Sequence, residues 1–116
     1  MAHLTKELVT LAGLAPTFAA AAGGGDTFDP DADTMLVVKN GGGASITVTI
    51  VTPKVDPKTG LAEADAGGSV PNAGERWFGP FPYETFADPA NQGRASITYS
   101  GVTSVTVRPV GLPRLA

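Results

Sequence analysis

The chain contains no cysteine and only one histidine. Without cysteine it can form no disulfide, no thiolate nucleophile and no zinc–thiolate site, and its redox compartment is left undetermined. The single histidine, His3, lies so close to the start of the chain that a third group could not readily orient it as a catalytic base. The abundant hydroxyl side chains therefore lack an activating base, and we expect no enzyme activity.

Charge of either sign is also sparse. The chain has 8 Lys and Arg against 11 Asp and Glu, with a formal net charge of −3. The basic residues are scattered from Lys6 to Arg114 without a cluster, so we expect no nucleic-acid partner. No apolar run reaches the roughly 18 residues of a membrane span, and Glu7 interrupts the segment where a signal peptide would be apolar. We therefore expect a chain that is made in the cytoplasm and has no membrane partner.

Glycine, proline and apolar residues are what the chain has in quantity. It contains 15 Gly and 10 Pro among 116 residues, and 42% of its residues are hydrophobic. This composition is typical of one domain built from short strands and turns. Ile46, Val48 and Ile50 alternate with Thr47 and Thr49, so one face of that strand is apolar and the other is hydroxylated. The pattern predicts a single all-β domain, a small antiparallel β-sandwich or barrel.

Two pairs of segments are predicted to form hairpins. The pairs are residues 34–39 with 44–52, and residues 94–100 with 102–110. Asn40-Gly41 follows the first strand and is a dipeptide favoured in hairpin turns. The acidic stretch Asp26–Asp33 is expected to be a loop that precedes this hairpin.

The N-terminal segment is open to two interpretations. Leucines recur there at helical spacing, but a glycine and a proline interrupt them. Residues 1–14 are therefore predicted to be an extended arm, with a short helix as the alternative. The β-sandwich is expected to span residues 15–110, and residues 111–116 are expected to form a C-terminal tail.

The acidic stretch has the beginning of a calcium-binding pattern. Asp29, Asp31 and Asp33 have the spacing of the first three ligands of a calcium loop. Thr34 and Asn40, however, stand where that loop requires a glycine and a bidentate glutamate. We therefore predict a surface loop, with no metal and no other cofactor.

The aromatic residues are concentrated in one segment. Five of the eight lie between Trp77 and Phe86. Alternation along a strand places Trp77 and Phe78 on opposite faces, so one should enter the core while the other is covered by a loop or a partner. We expect Phe81 and one of this pair in the core, and the remaining aromatic is a candidate contact residue.

A pattern of strands and turns extends over Ala15–Phe18, Leu36–Pro53, Gly74–Pro82 and Tyr99–Val107. It resembles a family of small proteins encoded among the head genes of tailed bacteriophages, and Lys39–Thr47 is its clearest marker. The resemblance implies a β-sandwich that decorates or cements the capsid from the outer surface of the major capsid protein shell, often as a trimer. The runs Ala19–Gly25 and Lys54–Gly60 and the N-terminal arm depart from the family pattern.

The apolar termini and the Trp77 segment are the expected contacts with the capsid and with other copies. The candidate residues are Leu4, Leu8, Leu11, Leu14, Trp77, Phe78, Val110, Leu112 and Leu115. Apolar arms can pair with a neighbour by strand addition or be buried on its surface. The expected function is that of a structural virion protein on the outer surface of the capsid, with the major capsid protein and its own copies as partners. The alternatives are a carbohydrate-binding or host-surface-binding module, in which Trp77 or Tyr83 would stack on sugars, and a head-completion or tail structural protein.

Overall fold

The computed structural model of the chain describes residues 2–53, 58–61 and 64–112. Within these ranges the strands are β1 (Ala2–Leu4), β2 (Glu7–Leu8), β3 (Ala19–Ala20), β4 (Asp26–Phe28), β5 (Thr34–Asn40), β6 (Ile46–Ile50), β7 (Ala66–Val70), β8 (Gly74–Phe78), β9 (Ala95–Tyr99) and β10 (Val105–Gly111). One short helix, α1 (Tyr83–Phe86), and a 3-10 turn (Pro89–Asn91) connect β8 to β9. The predicted all-β class is confirmed. Most of the Lys54–Gly60 run and the last four residues lie outside the described ranges.

The strands form two packed sheets. Sheet 1 has the strand order β1-β4-β9-β6-β7, and sheet 2 has the order β2-β10-β5-β8. β3 also pairs with β10, on the side of β10 that β2 uses, because β5 pairs along the other side of β10. The strand pairs are antiparallel except β1 with β4 and β2 with β10, which are parallel. The sandwich is thus of the predicted class, but its sheets are mixed because the N-terminal segment adds a parallel strand to an edge of each.

The N-terminal segment is extended but is not a separate arm. β1 runs along β4, with His3 opposite Thr27, and places Leu4 in the core. The chain then changes sheets, and β2 pairs with the last two residues of β10. At the other end, Gly111 still belongs to β10. The predicted boundary between arm and sandwich therefore does not separate structural units, because β1 and β2 are paired into the sheets. Of the predicted tail, residues 113–116 lie outside the described ranges.

Both predicted hairpins are wrong. β5 pairs with β10 and β8 in sheet 2, whereas β6 pairs with β9 and β7 in sheet 1, so residues 41–45 cross from one sheet to the other. In the same way residues 100–104 connect β9 in sheet 1 to β10 in sheet 2. Alternation of apolar and polar residues specifies which face of a strand meets the core, and it does not specify the neighbouring strand.

The core lies between the sheets and contains three packed phenylalanines. Phe28 and Phe81 have ring centroids 5.1 Å apart, Phe81 and Phe86 likewise, and both pairs are edge-to-face, an arrangement that aromatic rings favour. Phe28 belongs to β4, whose residues are all buried between β1 and β9. The prediction of a loop over residues 26–33 is therefore wrong for Asp26–Phe28. The prediction that Phe81 lies in the core is confirmed.

Candidate interaction surface

The face of sheet 2 that points away from the core is here called the outer face. Leu36 and Val38 of β5 belong to the core, so alternation turns Met35, Val37 and Lys39 to the outer face. Val37 is nevertheless buried. The chain itself therefore covers the centre of the outer face, and the apolar surface available to a partner lies toward its edges.

Trp77 occupies the β8 edge of the outer face. It lies opposite Val37 in the β5–β8 register, and its side chain is 53% exposed. The indole Nε1 donates a hydrogen bond of 2.8 Å to Glu75 Oε2, and Glu75 lies 3.8 Å from Lys39 Nζ. These contacts orient the indole ring while leaving much of it open. Phe78 turns inward and packs against the core, which confirms that the two aromatics lie on opposite faces.

A loop at the opposite edge of sheet 2 is fastened by Arg108. The guanidinium donates hydrogen bonds to the carbonyl oxygens of Thr5 (2.7 Å) and Thr17, which precede and follow the loop. The Glu7 carboxylate lies 4.0 Å from Arg108 Nε and accepts a hydrogen bond of 2.7 Å from the Thr17 N–H. The loop of residues 9–16 is therefore closed at its base, and the sequence alone did not indicate this role for Arg108.

Leu11 lies at the turn of this loop and is fully exposed. The turn is closed by Gly13 N–H, which donates to the Thr10 carbonyl at 3.0 Å, and by Thr10 Oγ1, which donates to the Gly13 carbonyl at 2.9 Å. No charged residue occurs from Leu8 to Gly25. The loop therefore projects an uncharged, apolar tip from a hydrogen-bonded base.

A recess of about 190 Å³ lies at the end of the outer face where β10 ends. Its lining residues are Ala32, Asp33, Met35, Pro80 and Leu112. Leu112 is 51% exposed, and its N–H donates a hydrogen bond of 3.0 Å to the Asp33 carbonyl. The recess is open to solvent and mostly apolar, so it has the character of a site for an apolar side chain of a partner.

The residues predicted to contact a partner differ in how exposed their side chains are. Leu8, Leu11, Trp77 and Leu112 are exposed, Leu14 is half-buried, Phe78 packs against the core, Leu4 and Val110 are buried, and Leu115 lies outside the described residues. The assignment of Leu4 and Val110 to partner contacts is wrong for this fold, because strand pairing places β1 and β10 within the sandwich. Of the predicted contact residues that the structure describes, these four exposed side chains are therefore the ones most open to a partner.

Asp26 and Tyr99 form a polar pair inside sheet 1 that the sequence analysis missed. Asp26 is fully buried and accepts hydrogen bonds from Tyr99 Oη at 2.8 Å and from the Ala22 N–H at 3.2 Å. Burial, followed by the neighbouring Asp26, raises the pKa of the Tyr99 phenol far above its ordinary value of 10.0. A carboxylate held in this way is a structural partner, since a buried polar group is stable only when it is hydrogen-bonded.

The acidic stretch that suggested a calcium loop is engaged with the N-terminal segment. Asp29 Oδ2 lies 3.3 Å from His3 Nε2, and Asp31 Oδ2 lies 3.6 Å from Lys6 Nζ. Across the described ranges, no group of three or more His, Cys, Asp or Glu residues is arranged to hold a metal ion. The contacts instead fasten β1 and Lys6, the residue before β2, to the segment after β4.

A second exposed aromatic lies outside the strands of both sheets. Tyr83 begins α1 and is 60% exposed. It borders an open recess of about 490 Å³ whose lining includes Glu84 and Gln92. An aromatic ring beside carboxylate and amide groups is a combination suited to a polar ligand such as a sugar.

Comparisons with protein-family models, with curated proteins and with solved structures found no match for this chain. Among the described residues, the one α-helix is far shorter than a membrane-crossing helix would need to be.

Proposed function

We propose that this chain is a structural virion protein that decorates and cements a phage capsid by binding the outer surface of the major capsid protein lattice. The observation that carries the proposal is the exposure of Trp77 and Leu11 on a β-sandwich whose hydrogen bonds orient both. The proposal also rests on the resemblance of the strand-and-turn pattern to small proteins of phage heads, and the exposed apolar side chains would supply a means of binding.

Burial of a few exposed apolar side chains is the expected source of the binding free energy, without a ligand pocket. Covering a largely exposed Leu or Trp side chain contributes about 1 to 3 kcal/mol. Aromatic residues in the centre of an interface commonly carry most of its binding energy. Each contact is modest, so stable decoration requires several copies that bind together, and we propose a trimer in which neighbouring copies reinforce one another.

Retention on capsids tests the proposal directly. Heads that lack the protein are mixed with the purified chain, and co-sedimentation measures the amount bound. We expect the wild-type chain to bind and Trp77→Ala to weaken binding by about tenfold or more, which corresponds to about 1.4 kcal/mol. Tyr83→Ala is the matched control, because Tyr83 is a similarly exposed aromatic that lies in α1 and not on a strand of sheet 2. Failure of the wild-type chain to bind these heads would reject the proposal.

Cementing, as distinct from binding, has its own measurement. Decorated heads should release their genome at a higher temperature than undecorated heads, because a ligand that binds only the assembled lattice stabilises it by mass action. The same release temperature with and without bound protein would contradict the cementing role. Light scattering of the free chain and an image of the particle would test the trimer.

A carbohydrate-binding role is the second candidate, and the Tyr83 recess is the observation that favours it. In this case Tyr83→Ala should abolish binding to polysaccharide of the host surface, and Trp77→Ala should leave it unchanged. A head-completion or tail role would instead place the protein at the neck of the particle or along its tail. Imaging separates the two structural roles, since a decoration protein is distributed over the whole lattice.

A further inference from the structure

Asn40 is a buried side chain with an unusually complete set of hydrogen bonds. It ends β5 and is 2% exposed. Its Nδ2 donates to the carbonyl oxygens of Ala44 at 2.8 Å and Val70 at 3.1 Å. Its Oδ1 accepts a hydrogen bond of 3.0 Å from the Gly42 N–H. Both N–H groups of the side-chain amide therefore donate hydrogen bonds to backbone carbonyl oxygens.

These bonds connect the two sheets. Asn40 belongs to sheet 2, whereas Val70 ends β7 of sheet 1 and Ala44 lies just before β6 of the same sheet. The amide thus fixes the crossover of residues 41–45, which the sequence analysis predicted as a hairpin turn. The role requires a donor at this position, since two carbonyl oxygens face the side chain.

The same residue begins the dipeptide Asn40-Gly41, which is chemically reactive. The backbone nitrogen of Gly41 can attack Cγ of Asn40, because glycine has no Cβ to hinder the approach. A bond forms between that nitrogen and Cγ, the Cγ–Nδ2 bond breaks, and the amide nitrogen leaves as ammonia with the proton lost by Gly41. Water then opens the cyclic imide at either carbonyl and gives aspartate or isoaspartate. Water is the only co-reactant, and no oxidant or reductant takes part.

The native structure opposes this reaction at each participating group. The Gly41 N–H donates a hydrogen bond of 2.9 Å to the Ser104 carbonyl. Rotation of the Asn40 side chain into position for attack would break its bonds to Ala44, Val70 and Gly42. We propose that Asn40-Gly41 is a spontaneous deamidation site that the folded state keeps closed and that unfolding opens. The site is distinct from the interaction surface, and this proposal does not depend on the proposed function.

The product cannot take the place of the asparagine. An aspartate at position 40 has no proton for the carbonyls of Ala44 and Val70, so it places negative charge beside two oxygen atoms. Isoaspartate adds an atom to the main chain where residue 40 pairs with Gly74 and Val105, which disrupts the register on both sides of β5. A chain that has reacted while unfolded therefore refolds to a less stable state or does not refold.

The experiment compares the full chain in native buffer and in urea at the same mildly alkaline pH and temperature. Peptide mass spectrometry follows replacement of the amide by a carboxyl group at residue 40 and separates isoaspartate from aspartate. Asn72 and Asn91 are internal controls, because neither is followed by glycine. We expect reaction at Asn40 in urea to exceed that in native buffer by roughly a hundredfold or more, since only the small unfolded fraction reacts. Equal rates in the two conditions would overturn the proposal.

Two variants test the chemistry and the consequence. Gly41→Ala should slow the reaction in urea, since the added methyl hinders attack by the backbone nitrogen, and an unchanged rate would refute the route through Gly41. Asn40→Asp reproduces the aspartate product and should fold with lower stability or fail to fold. Wild-type stability of Asn40→Asp would contradict the stated consequence. The comparison of wild-type chain in buffer and urea remains decisive if the variant does not fold.

Discussion

Replacing Leu4 by alanine tests whether the N-terminal segment is part of the sandwich or an arm available to a partner. Leu4 is 4% exposed and belongs to the hydrophobic core, where β1 pairs with β4. Leu11, only seven positions later, is fully exposed. The two leucines therefore offer a matched pair of substitutions that remove the same atoms from opposite environments.

The expected magnitudes differ clearly. Leu-to-Ala substitutions in cores cost about 2 to 5 kcal/mol, because the transfer free energy of the side chain is lost and a cavity remains. Leu4→Ala should lower the free energy of unfolding by about 2 to 3 kcal/mol, since β1 lies at a sheet edge and can partly collapse into the cavity. Leu11→Ala should change the free energy of unfolding by less than about 0.5 kcal/mol. For a domain of this size, 2 to 3 kcal/mol lowers Tm by roughly 8 to 12 °C.

Urea denaturation followed by far-ultraviolet circular dichroism, together with calorimetry, would measure both variants. A loss below about 0.5 kcal/mol for Leu4→Ala would refute the reasoning, because it would mean that β1 separates from β4 without cost. The two single substitutions also test capsid binding more specifically than a deletion of the N-terminal segment would. Deleting residues 1–14 removes a core residue and an exposed residue together, whereas Leu11→Ala removes contact surface from a chain that remains folded.

Two further predictions concern the polar contacts. Tyr99→Phe should cost about 1.5 to 3 kcal/mol, because the buried Asp26 carboxylate loses a donor, while Tyr83→Phe should cost little. Folding raises the pKa of Tyr99, so the stability that this shift contributes is complete below pH 10.0, its ordinary pKa, and declines at higher pH. Urea denaturation of the wild-type chain should therefore show a decline of at most about 1.4 kcal/mol per pH unit above that value, and Tyr99→Phe should lack this decline. Arg108→Met should speed hydrogen exchange at the Val9 amide while leaving core amides protected, and unchanged exchange there would contradict a fastening role for Arg108.

The aromatic segment was accessible from sequence because its signal is local. Alternation along a strand is a property of the backbone, so adjacent residues Trp77 and Phe78 had to lie on opposite faces. Phe81 was also expected in the core and is buried there, but alternation does not account for it, because Phe81 lies beyond the end of β8. What alternation could not provide was the identity of the outward residue, which depends on which face of β8 meets the core.

The terminal leucines show where local reasoning fails. Leu4 and Val110 were assigned to partner contacts because apolar residues near chain ends resemble arms. Their burial depends on parallel pairing of β1 with β4 and on the position of β10 between β2 and β5. Those partners are distant in sequence. The roles of Arg108 and Asp26 were missed for the same reason, since their hydrogen-bond partners Thr5 and Tyr99 lie 103 and 73 residues away.

The sequence by itself determined that this is an all-β domain, which segments form the strands β5, β6, β9 and β10, and which of their side chains prefer a core. These properties follow from composition and from a period of two residues, both of which act within a few positions. Only the tertiary structure decided which strands are neighbours. The segments around Asn40-Gly41 became a crossover between sheets because a buried amide reaches carbonyl oxygens of the opposite sheet, a contact that exists only once both sheets are assembled.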